Sequence, residues 1–190
     1  MKNTLSHAMI LTVIILFMNG IFTIRAKDAA VKLPEAVLAV IKARYPQCTI
    51  RNVEMESERG IRFFVVNLTL PGRVIEVEIT GAGEIIETEE KVKAETLPAS
   101  FRTEISKLTA DGRQIMKIEK HEIMSVPFLG AFRQLSKPIL FYDLKTRDRN
   151  GAKQSVLFEE GANGIIKAGK TPNDNNAADN NDDDDDDDED

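Results

Sequence analysis

The sequence predicts an α+β fold of two tandem units, each a helix followed by a four-stranded antiparallel meander. The strands of both units can join as one continuous eight-stranded sheet with the two helices on one face. Three observations carry this expectation. Leu33-Pro34-Glu35-Ala36 and Leu97-Pro98-Ala99-Ser100 open two segments in the same way. Each opening is followed by apolar residues at helical spacing, and each helical stretch gives way to β-branched and aromatic runs punctuated by turn residues.

In the first unit Val37, Leu38, Val40 and Ile41 fall on one helix face, and Tyr45-Pro46 ends the helix because the residue before proline avoids helical angles. Strands follow at 50–57, 61–70, 73–79 and 85–92, separated by Gly60, Pro71-Gly72 and the Gly81/Gly83 turn. Phe101, Ile105 and Leu108 mark the second helix face. Thereafter Ile115, Ile118 and Glu119 stand for Ile50, Val53 and Glu54, and Tyr142-Asp143-Leu144 stands for Val66-Asn67-Leu68. Glu160-Gly161-Ala162-Asn163-Gly164-Ile165-Ile166 stands for Thr80-Gly81-Ala82-Gly83-Glu84-Ile85-Ile86. The insertions between copies fall between strands, which is where a fold tolerates them. The largest, Met124 to Leu135, replaces Glu58-Arg59-Gly60.

The stretch 33–92 resembles a PepSY-like domain. The likeness rests on a helix ending near a proline, on Ile50-Arg51-Asn52-Val53-Glu54, on Phe64-Val65-Val66-Asn67-Leu68, and on Val74-Ile75-Glu76-Val77 leading through a glycine turn to Ile85-Ile86. Two such units in tandem resemble the β-lactamase-inhibitor-like subgroup of that family. The resemblance implies an exported module that binds or inhibits other proteins, several of them proteases or hydrolases. It implies no catalytic residue and no cofactor.

Lys2 followed by the mostly apolar run 8–24 and by Arg25-Ala26-Lys27 has the form of an export signal over 1–26. Cleavage leaves a periplasmic or extracellular protein; retention makes the run a membrane anchor, the sole expected membrane contact. Residues 27–96 and 97–170 are then the two repeats, and 171–190 is expected to be a disordered aspartate-rich tail. The net charge of −6 averages unlike regions: eleven acids and no base lie from 173 onward, whereas 27–172 holds twenty acids and twenty-three bases. That mixed balance argues against nucleic-acid binding. The tail can attract divalent cations weakly, solubilise the chain, or fold back on the more basic second repeat.

No nucleophile–base pair or metal-ligand spacing is legible, and Cys48 is the single cysteine. His121 reads as a solvated strand histidine, and the pairs Glu76/Glu78 and Glu87/Glu89 read as a solvated sheet face. Alternation aims Phe63 and Val65, with Ile139 and Phe141, away from the helices. These four either form a protein-binding surface or fill a seam. Phe128 and Phe132 in the insertion either reach a partner or pack over their own domain. The expectation is therefore a non-catalytic protein-binding module, possible inhibitor of a secreted protease or other hydrolase. The alternative is a cell-envelope structural protein whose acidic tail handles cations.

Overall fold

The computed structural model describes residues 31–161 and 164–170; the expected export signal at 1–26 and the expected disordered tail at 171–190 lie outside the described residues. The chain runs α1 (Glu35–Arg44), β1 (Thr49–Glu58), β2 (Ile61–Leu70), β3 (Arg73–Ile79) and β4 (Ile85–Lys91). After a 3-10 turn at Ala94–Thr96 come α2 (Ala99–Thr109), β5 (Gln114–Phe128), β6 (Ala131–Arg147), β7 (Lys153–Gly161) and β8 (Gly164–Lys170). All strands belong to one antiparallel sheet, in sequence order from β1 to β8.

Each helix starts directly after a proline, Pro34 or Pro98, and so lies wholly beyond the ring that would otherwise remove an internal hydrogen bond. Glu35 in the first turn of α1 and Lys42 and Arg44 in its last turn complement the helix dipole. Val37 and Ile41 are buried against Val66, Leu68, Ile75 and Val77 of β2 and β3. Burial of each such side chain stabilises the fold by about 1.5–3 kcal/mol. The β3–β4 turn passes directly beneath α1: a Cβ at Gly83 would meet the Ala36 carbonyl oxygen at 3.1 Å, and its φ of +88° favours glycine in any case. In the second half Phe101 and Ile105 of α2 bury against Ile118, Tyr142, Leu144, Val156 and Phe158.

Register fixes the two faces. Val66 lies opposite Val77, Val77 opposite Thr88, Thr88 opposite Glu122, and Ile118 opposite Leu144. Residues paired in this way share a face, so α1 and α2 cover the same side of the sheet. Where the halves meet, β4 pairs β5 from Glu87–Ile123 to Lys91–Glu119. On the helix side this seam is polar, with Arg44 to Glu122 at 3.6 Å and Arg73 to Glu90 at 3.5 Å. No helix among the described residues is long and apolar enough to cross a membrane.

The insertion expected as a loop is instead the outer part of a hairpin. β5 and β6 reach 15 and 17 residues, against 10 each for β1 and β2. Alternation persists through Ser125, Val126, Pro127 and Phe128, which pair with Gln134, Arg133, Phe132 and Ala131.

Candidate functional site

Among the described residues, the side of the sheet opposite the helices is covered by this hairpin arm. Beyond Ile123, β5 leaves β4 and pairs with β6 alone. The ladder then breaks. Ile123 faces Ile139, but two residues later Ser125 faces Gln134, so Met124 stands opposite the four residues Leu135 to Pro138. A bulge of this kind bends a ribbon, and Pro138, which has no amide to donate, is tolerated there. The bend lays the arm on the sheet. Phe132 meets Phe63 edge to face with ring centroids 5.8 Å apart, and the Ser125 hydroxyl donates to the Ile85 carbonyl at 3.3 Å. Phe63, Val65 and Ile86 are buried beneath Phe132; Ile123, Phe141 and Leu157 are buried with Val126, Leu135 and Ile139 packed on them.

Phe63, Val65, Ile139 and Phe141, expected either to form a protein-binding surface or to fill a seam, do not stand free: the arm packs over them. Phe63, Val65 and Phe141 are 5%, 6% and 3% exposed, and Ile139 is half-buried. The parity was right, but the arm supplies the missing layer. The insertion's two aromatics separate: Phe132 is an internal contact, while Phe128 is 52% exposed and its neighbour Leu129 is 91% exposed. The Arg133 guanidinium lies 5.5 Å from the Phe128 ring centre, holding that ring at the tip.

The tip is energetically odd. Leu129-Gly130 is a two-residue turn with both φ values positive, 48° and 82°, matching Arg59-Gly60 at 49° and 80° in the first hairpin. At both turns an L-residue sits in the left-handed region, at about 1 kcal/mol or more. Arg59 is polar and pairs with Glu58 at 3.9 Å. Leu129 has neither a polar partner nor cover, and strained apolar exposure of this kind concentrates at contact sites.

Under and beside the arm lies a titratable network that sequence reasoning placed in solvent. His121 is 5% exposed, not solvated; its ring stacks on Phe141 at 4.4 Å, and Nδ1 is 2.6 Å from a Glu87 carboxylate oxygen. Burial opposes charge on the ring, but the hydrogen bond to Glu87 and the charges of Glu87, Glu89 and Glu119 outweigh it and raise its pKa. The carboxylates are likewise not a simple solvated face. Glu76 and Glu78 of β3 lie opposite Glu89 and Glu87 of β4. Burial, then repulsion from Glu87, Glu76, Glu56 and Glu58, pushes Glu78 well above the usual carboxylate range.

Glu89 is pushed up to about 8, chiefly by burial and then by its hydrogen bond with Glu119. Glu119 moves the other way: burial opposes its ionisation, yet Glu89, Lys117 and Lys145 hold it at about 2. Its two oxygens are occupied, one by Lys117 and the other by Lys145 at 3.1 Å. Of the pair, Glu89 is the harder to ionise and Glu119 the easier.

Glu89, Glu119 and His121 bring one possible ligand atom each within 4.8 Å of one another. They fit a cation poorly, because Glu119 is already neutralised by two ammonium groups that would repel it. The signal for this cluster was present in the alternation of 74–79 and 85–90, which places four glutamates on one face; the cover that desolvates them was not.

No family model and no curated protein matches the chain. Solved structures do. A BLIP-like protein from Bacteroides fragilis superposes with a TM-score of 0.51 at 15% identity, over 78% of this chain and 94% of that one. A presumed periplasmic protein from Bacteroides eggerthii gives a TM-score of 0.48 at 15% identity, over 68% and 83%. A DUF2874 family protein from Bacteroides ovatus gives 0.48 at 15%, over 68% and 82%. The fold of this chain is thus similar to that of the BLIP-like protein.

Proposed function

We propose that this chain is an exported, non-catalytic protein-binding module that docks on another exported protein through the tip of the β5–β6 arm. The partner class this reading names is a secreted protease or other hydrolase, which the module inhibits. One observation carries it: Phe128 and Leu129 are exposed together at the end of an arm whose base is fixed by buried packing. A rigidly mounted apolar tip loses little conformational freedom on binding, so most of its contact energy becomes affinity. The BLIP-like likeness supports a binding rather than a catalytic reading.

The same reading includes duplication. Val37 and Ile41 against Val66 and Leu68 in the first half correspond to Phe101 and Ile105 against Tyr142 and Leu144 in the second. The arm then belongs to the second copy alone, an elaboration acquired at one hairpin after the two units diverged.

The test compares the mature chain with a Phe128→Ser, Leu129→Ser double variant. Both side chains lie outside the core, so the unfolding free energy should change by less than about 0.5 kcal/mol. Retention of the exported partner should drop at least about tenfold, and inhibition of hydrolase activity in the exported fraction should disappear with it. Equal retention and equal inhibition by both chains would remove the tip from the function.

A further inference from the structure

We propose that the basic rim at the β5–β7 end of the sheet is the docking site of the chain's own aspartate-rich segment, residues 174–190. Arg113 precedes β5, Arg147 closes β6, Arg149 lies in the following turn and Lys153 opens β7. Register brings them together: Arg147 pairs with Gln114 on one side and with Lys153 on the other. The Arg149 guanidinium lies over Gly112, where no Cβ would fit, next to Arg113.

Two acids share this rim. Asp111 is 3.5 Å from the Arg113 guanidinium, and Asp148 accepts the amides of Asn150 at 2.8 Å and Ala152 at 2.9 Å. Arg149 and Lys153 are exposed, and among the described residues the four bases of this rim outnumber its two acids.

The topology delivers the acidic segment to this place. β8 runs antiparallel to β7 and ends at Lys170, opposite Val156. Val156 is three residues from Lys153, roughly 10 Å along the strand. From 173 onward the sequence carries eleven acids and no base, with an unbroken run from Asp182 to Asp188. Twelve residues, the number from 171 to 182, would span roughly 20 Å as a random coil, enough to reach the rim about 10 Å away. Tethering at that length gives an effective concentration in the millimolar range, so even weak charge pairing is occupied. A separate polyanion must displace the tethered one.

The experiment uses the chain lacking residues 173–190, the full chain, and a fluorescent peptide of sequence 173–190. At about 20 mM salt the shortened chain should bind the peptide at least about tenfold more tightly than the full chain, whose site its own segment fills. Raising salt to about 500 mM should abolish both affinities, since the contacts are exposed charges. Arg149→Glu with Lys153→Glu in the shortened chain, two exposed substitutions that leave the core untouched, should weaken peptide binding at least about tenfold. Equal affinities of the full and shortened chains would overturn the proposal, as would undiminished binding by the doubly substituted one.

Discussion

Phe101→Ala is expected to lower the free energy of unfolding by about 3–5 kcal/mol. The ring is 1% exposed and sits between Tyr142, with centroids 4.2 Å apart, and Phe158 at 5.7 Å. Removing it deletes the anchor of α2 and both aromatic contacts, and the surrounding strands are too well paired to collapse into the space. Urea unfolding of the two proteins measures the difference directly. A loss under about 1 kcal/mol would mean that α2 does not pack on β6 and β7 in this way.

The second large effect is on pH dependence. Stability should peak near pH 5 and fall as pH rises towards 9, by on the order of 2 kcal/mol after allowing for the one-third exposed Glu89 side chain. The sign follows from three groups that act together: Glu89, His121 and Glu78, whose carboxyl is also held well above the usual range by burial. Glu89 titrates at about 8 when folded against 4.5 otherwise, so the unfolded chain gives up its proton first and folding loses ground across that interval. His121 has a raised pKa; its contribution is complete below its unfolded value and is lost as pH rises through the folded one. Glu119, held at about 2, behaves oppositely: its stabilisation is present above 4.5 and disappears as pH falls towards 2. Glu89→Gln keeps the shape of the side chain without the charge and should remove its share of the alkaline slope, leaving that of Glu78 and His121. Chemical unfolding at several pH values decides the matter, and an unchanged slope in the variant would exclude Glu89 as its source.

The repeated Leu-Pro openings, the 3.6-residue spacing and the strand-length apolar runs made most of this architecture legible, because periodicity reports which side of an element is apolar. Strand limits agreed closely where tight turns punctuate the chain, as at Arg59-Gly60 and Pro71-Gly72. The candidate site was legible only by parity. Alternation aimed Phe63, Val65, Ile139 and Phe141 away from the helices but named no side for Glu78, Glu87 or His121, and what covers the helix-free face depends on the bulge of Leu135 to Pro138 against Met124. That is a long-range packing outcome with no local signature. Once the arm lies down, the same alternation that suggested a wet surface produces a partly dry one, and the acids and His121 change character with it.

The arm folds against the helix-free side of the sheet and displays Phe128 and Leu129 at its tip. Nuclear Overhauser contacts between the Phe63 and Phe132 rings, whose centroids are 5.8 Å apart, test this most directly. The expected result is strong cross-peaks between the two rings in the full chain, with Phe63 protected from solvent. Absent cross-peaks together with a solvent-accessible Phe63 would show an arm standing free, and would return the binding surface to the sheet itself.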